Sequence, residues 1–372
     1  MFDRRLLTCF DWSFALAVLG MGCLGVLTIY SGNALTTSPI RQTLHLRQFT
    51  WLALGLIALL LACTVSYRNL ARFAYVIFGL NVALLLVVLV MGKTGLGAQR
   101  WLRIGPFAFQ PSEFMKLSLV LFLARYFDDR RELLRHPKTM LLPAGLTLAC
   151  ALLVLKQPDL GTALLLLFNG IAIMLMLGLH WRYLVPFAIG GGVLAPILWT
   201  FLKDYQRRRI LVFLNPDLDP LGASYHIAQS KIAVGSGGAF GKGWLAASQS
   251  QLNFLPMNHT DFLFAVLAEQ WGFVGSLLVL LVYVYLITRG FQIASDSPDF
   301  FASLLATGIT CMLAIQVFIN VSMVLGMLPV VGIPLPLLSY GGSSMLVTML
   351  SLGLLLKIHM RRVMCQIGRA HL

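Results

Sequence analysis

Apolar runs of roughly 17–25 residues recur along this chain, each long enough to cross a bilayer as a helix. The 372 residues are 58% hydrophobic, with 28 Lys and Arg against 14 Asp and Glu. A soluble domain is excluded, and no separate domain, repeat or low-complexity tract stands out. The expected fold is an all-α integral membrane protein of about ten spans. They fall near 12–30, 48–66, 72–91, 111–127, 139–156, 161–179, 183–202, 261–288, 300–325 and 344–360. The run at Trp12–Tyr30 lacks a small-residue cleavage site and reads as a retained helix. The six cysteines match no metal spacing and give no reason to expect disulfides or zinc.

Ten crossings put both termini on one side, and basic residues choose it. With the N-terminus cytoplasmic, the inner segments hold fifteen Lys and Arg and the short outer loops five. The net charge of +14 is then largely anchoring next to acidic lipid, with no nucleic acid implied. The long loop 203–260 falls outside, as do Glu113, Asp159, Asp204, Asp217, Asp219, Asp261 and Glu269.

Asp261 sits where this polar loop enters an apolar helix, a position that is costly unless the charge is paired or functional. Glu269 follows eight residues later, about 12 Å along a helix. In the outer stretch GAQRWLRIGPFAFQPSEFMK, which contains Arg100, Pro111 opens a helix with Glu113 in its first turn. Lys116 shares a face with Glu113. The two are either a buried ion pair that locks the helix or a polar path for an anionic substrate. In the turn KQPDLGT, Asp159 either caps the next helix or supports catalysis. Arg207, Arg208 and Arg209 suit phosphate or pyrophosphate, or else snorkel to lipid headgroups.

YHIAQSKIAVGS reads as a short interfacial helix bearing His226 and Lys231. GSGGAFGKGW fails as a nucleotide loop, because Ser236 stands where Gly is required and Gly243 replaces Ser or Thr. Asn258-His259-Thr260 fits a glycosylation sequon by chance. His259 is a competing base or a weak metal ligand. Pro329, Pro334 and Pro336 forbid a regular helix before Tyr340-Gly341-Gly342-Ser343-Ser344, whose backbone donors read as a cavity lining.

These motifs, in this order from about Trp12 to Arg362, closely resemble the SEDS family (shape, elongation, division and sporulation), and within it the RodA branch. The resemblance implies a peptidoglycan glycosyltransferase of cell elongation and rod-shape maintenance. Such an enzyme polymerises lipid II, the undecaprenyl-pyrophosphate-linked disaccharide-peptide, on the outer face of the bacterial cytoplasmic membrane. It implies a class B penicillin-binding protein as transpeptidase partner within the elongation machinery. It also makes Asp261 the catalytic acidic residue, a general base on the acceptor hydroxyl, with Glu113 and Lys116 in the site. Arg207, Arg208, Arg209, Lys231 and His259 are further substrate-binding candidates, and Asp159, Arg100, Glu269 and Ser343 supporting ones. No organic cofactor is expected; a divalent cation, Mg or Mn, is a candidate. Asn215 before Pro216, Met257-Asn258 and Gln270-Trp271 depart from the family pattern. The rival readings are a lipid II flippase and a non-catalytic scaffold for the penicillin-binding partner.

Overall fold

The computed structural model describes residues 10–370, apart from 35, 37, 96–97, 105–106, 135, 137, 179–203, 216–217, 220–222, 252–253, 255–256 and 258. The expected span 183–202 and Asp217 lie outside the described residues. Asp11 starts α1 (Trp12–Gly32) by accepting a hydrogen bond from Phe14 N at 3.1 Å. A single turn, α2 (Pro39–Gln42), leads into α3 (Leu44–Thr64) and α4 (Tyr67–Met91). An antiparallel sheet follows, β1 (Lys93–Gly95), β2 (Ala98–Ile104) and β3 (Phe107–Phe109), paired in that order. Pro111, whose missing N–H costs nothing at a helix start, then opens α5 (Pro111–Asp129). Next come α6 (Lys138–Lys156) and α7 (Leu160–Met176). Three shorter helices follow: α8 (Asp204–Leu214), α9 (Ala223–Ser236) and α10 (Ser248–Gln251). Three long ones close the chain: α11 (Leu263–Ser295), α12 (Phe300–Val324) and α13 (Gly342–Ala370).

The chain is a helical, multi-pass membrane protein. Seven described helices (α1, α3, α4, α6, α11, α12 and α13) are long and apolar enough to cross a bilayer. Several ends differ from those expected: α3 starts at Leu44, α4 at Tyr67, and α11 runs to Ser295. Apolar composition marks where lipid ends, whereas helical hydrogen bonding continues into polar sequence.

Helix α5 forms the centre. From Pro111 to Phe127 only Phe114 and Arg125 are not buried, so it is enclosed on every face. Between membrane helices close packing and hydrogen bonds supply the cohesion, because lipid tails are as apolar as the side chains. The contact of α3 with α13 shows how: a Cβ on Gly353 would stand 2.5 Å from Leu59 O, and Cys63 Sγ donates to Gly353 O at 3.5 Å. Most substitutions at Gly353 would push the helices apart.

The packing gathers the N-termini of α5, α7, α11 and α13 at one end of the bundle. The opposite end holds charge pairs such as Arg125–Asp129 at 2.8 Å and Arg289–Asp11 at 2.7 Å. A cavity of about 540 Å³ also lies there, lined by Tyr75, Tyr126, Asp129 and Arg130. Asp129 is sixteen residues along α5 from Glu113, about 24 Å. The chemistry described next is at the other end.

Candidate active site

Met257 and residues 259–262 form a turn before α11. Thr260 N donates to Met257 O at 3.1 Å, and Met257 holds a positive φ of 54°, uncommon for a residue with a side chain. The proline loop after α12 grips this turn by its backbone. Asn320 Nδ2 donates to Asp261 O at 3.0 Å and to Ile333 O at 2.7 Å. Ser339 Oγ donates to Thr260 O at 2.6 Å, and Tyr340 N to His259 O at 2.9 Å. The backbone donors of Tyr340 and Gly341, expected to line the cavity, are engaged by protein, since Gly341 N meets Gln48 Oε1 at 3.4 Å. Proline spacing shows an irregular loop but not which carbonyls it holds. Non-helical backbone at this depth needs such internal partners.

The Asp261 side chain, partly exposed, turns toward Gly332. A point one Cβ away from Gly332 is 3.5 Å from Asp261 Oδ2 and 3.9 Å from an Arg209 guanidinium nitrogen. Arg209 is itself held by Val330 O at 3.0 Å. Burial pushes the Asp261 carboxyl up to about 6; Arg209 and Arg100 pull it back in part, and Asp159 adds to the rise. His259 goes the other way, to about 4, through burial and then Arg41. Its ring packs edge-on against Tyr340. At neutral pH the histidine is uncharged and a poor base, whereas the aspartate is poised near the working range.

Asp159 links this point to α5. It caps α7, accepting from Thr162 N at 3.2 Å and Thr162 Oγ1 at 3.0 Å. It also accepts from Gln110 Nε2 at 3.1 Å and faces Arg100 at 3.7 Å. Arg100 bonds the carbonyls of Gln157 and Pro158. Ser343 Oγ accepts from Gln110 N at 3.2 Å. Arg100, Asp159 and Ser343 therefore belong to one network at the mouth of α5. Glu113 and Lys116 follow in the first two turns of α5, 5% and 3% exposed and paired with each other, Lys116 Nζ being 2.7 Å from Glu113 Oε2.

Other expected residues are placed apart. Arg207 and Arg209 are two residues apart on α8, about 200° around a helix, so they cannot both face Asp261. The Arg208 side chain lies outside the described residues. Lys231 packs against Gly326 and lines a separate cavity of about 160 Å³ with Val212 and Ile227. Glu269 is wholly buried and bonds Lys242 at 2.7 Å. Asn320, Ser339, Gln110 and Gly332 are the contributors that sequence reasoning missed. An asparagine within an apolar span was the available signal for Asn320.

The family model described as cell cycle protein, covering FtsW, RodA and SpoVE, matches residues 11–363. The chain belongs to this family. It is similar to peptidoglycan glycosyltransferase MrdB of Escherichia coli K12, 44% identical over 319 residues, 86% of each chain. It is 32% identical to peptidoglycan glycosyltransferase RodA of Treponema pallidum, over 95% of this chain and 98% of that one. Two solved structures share the fold. One is from a peptidoglycan synthase complex described as coordinating polymerization and crosslinking: TM-score 0.80, 37% identity, 95% of this chain and 98% of that chain. The other is RodA of Thermus thermophilus, with TM-score 0.71, 33% identity, 95% of this chain and 97% of that chain. The FtsW/RodA/SpoVE family thus includes this chain across nearly its whole length.

Proposed function

We propose that Asp261 is the general base of this peptidoglycan glycosyltransferase, acting on lipid II at the outer face of the bacterial cytoplasmic membrane during elongation and rod-shape maintenance. The observation that carries the reading is the Asp261 carboxyl at the partly exposed turn before α11, where the space beside Gly332 lies within 4 Å of both Asp261 Oδ2 and an Arg209 guanidinium nitrogen, and where the carboxyl is raised to about 6. In the reaction the acceptor 4-hydroxyl gives its proton to an Asp261 oxygen, and its own oxygen bonds the donor's anomeric carbon. The bond from that carbon to pyrophosphate breaks, and undecaprenyl pyrophosphate leaves with the electron pair. Arg209 and Arg100 are suited to receive that charge. General-base help supplies about 10²–10⁴-fold, so orientation and charge stabilisation must supply the rest. The Glu113–Lys116 pair lines the approach. Among the described residues no three His, Cys, Asp or Glu side chains converge as a metal site. A divalent cation, Mg or Mn, would be held mainly by the substrate's pyrophosphate oxygens and would offset the charge that Arg209 and Arg100 receive. A rate unchanged by EDTA would remove it from the account. The partner is a class B penicillin-binding protein, by analogy with the synthase complex.

Transport of lipid II is a second reading with one observation in its favour, the break in α11 at Gly272, because transporters use discontinuous helices. Purified protein given lipid II decides between them. Glycan strands resolved on a gel are expected; lipid II that crosses a vesicle membrane without polymerising would replace this reading with transport.

A further inference from the structure

Gly272, with φ 65° and ψ −160°, interrupts α11 and divides two unlike halves. Before it, every residue from Leu263 to Gln270 is buried. After it, burial follows one face, Ser276, Val279, Tyr283, Leu286, Gly290 and Ile293, at helical spacing. Breaking the helix frees backbone groups that water cannot reach. The loop after α9 supplies their partners. Lys242 N and Gly243 N donate to Glu269 O and Gln270 O, both at 3.0 Å. Beyond the break, Phe273 N and Val274 N donate to Gly238 O and Ala239 O at 2.9 and 3.0 Å. Glycine is needed because the backbones touch: a Cβ on Gly237 would overlap Ala268 O, and one on Gly241 would overlap Gln270 O. A side-chain contact reinforces the pairing, with Lys242 Nζ 2.7 Å from Glu269 Oε1. The sequence GSGGAFGKGW, which fails as a phosphate loop, does this instead.

We propose that residues 237–243 are a static backbone clip that sets the register of the half-helix 263–271, with Lys242 and Glu269 as positioning residues for Asp261. The inference rests on the reading of Asp261 as the base. A slip of one residue in the pairing would turn the half-helix by about 100° and shift it about 1.5 Å. Asp261, at the entry of that half-helix, would swing away from Arg209. A misplacement of about 1 Å costs roughly 10²-fold in rate, which sets the scale expected when the lock is lost. Substrate affinity should be spared, because the clip lies about 12 Å along the helix from Asp261.

The test uses the purified full chain with lipid II. Lys242→Met should lower kcat roughly 10²-fold with KM within about twofold, and Lys242→Arg should retain most of the rate. The pair Ala239→Cys with Val274→Cys, oxidised to a disulfide across the paired backbones, should leave the otherwise native chain fully active. The same disulfide should restore the rate in Lys242→Met, and reduction should remove it again. Full kcat in Lys242→Met, or a raised KM in place of a lowered kcat, would overturn the proposal. So would a disulfide that stops the native chain, since the clip would then have to open. Asp261→Asn fully active with the clip intact would instead remove the catalytic reading on which the inference rests.

Discussion

The Glu113–Lys116 pair allows the account to be tested by subtraction. Both side chains are almost fully enclosed in α5, and their charged atoms are 2.7 Å apart. At an effective dielectric constant of about 20 that attraction is worth about 6 kcal/mol. Removing two ions from water costs several kcal/mol each, so the pair adds little net stability. Deleting both charges, Glu113→Gln with Lys116→Met, should therefore leave thermal unfolding in detergent close to that of the parent. Lys116→Met alone strands a buried carboxylate and should cost about 3–5 kcal/mol. Polymerisation separates structure from function: if the pair meets the substrate, the double variant folds but makes little glycan. The charge exchange, Glu113→Lys with Lys116→Glu, should also be inactive, because it inverts the field along the path. A single variant as stable as the parent would refute the electrostatic reasoning. A double variant that polymerises normally would reduce the pair to a structural lock.

Charge also sets a pH profile, a stability difference and a labelling pattern. The Asp261 carboxyl, raised from 3.8 to about 6, must be ionised to act, so the rate should climb as pH rises through about 6 and then level. Its folded value lies above its unfolded one, so stability falls as pH rises from about 4 to 6. Asp261→Asn should recover about 3 kcal/mol at pH 7 and nothing near pH 3, as thermal unfolding at the two pH values will show. The excess of basic residues in the opposite loops predicts that Ser248→Cys reacts with an impermeant thiol reagent in intact spheroplasts. Labelling only after lysis would put the site on the inner face.

The membrane class and most helices were legible because lipid demands long apolar segments, a signal carried by composition. Asp261 was legible for the same reason, as a carboxylate at the mouth of a span. Its environment was not. The grip of Asn320, Ser339 and Tyr340 runs through backbone carbonyls, which any residue carries, so no sequence pattern records it. The three arginines looked like one cluster because they are adjacent in sequence, whereas a helix turns Arg207 and Arg209 to different sides. GSGGAFGKGW read only as a failed nucleotide loop, because its partner, the break at Gly272, was hidden inside what looked like one uninterrupted helix. The three strands, Lys93–Gly95, Ala98–Ile104 and Phe107–Phe109, are too short to carry a periodic signal of their own.

The central claim is that Asp261 takes the acceptor's proton. Its most direct test is polymerisation of lipid II by purified Asp261→Asn beside His259→Ala. The asparagine keeps the shape and removes the basicity, so the protein should fold and bind lipid II while polymerisation falls at least about 10²-fold. His259→Ala should cost less, because burial already holds that ring at about 4 and uncharged. Glycan strands made at the parent's rate by Asp261→Asn, with His259→Ala inactive, would contradict the claim and give the proton to the histidine.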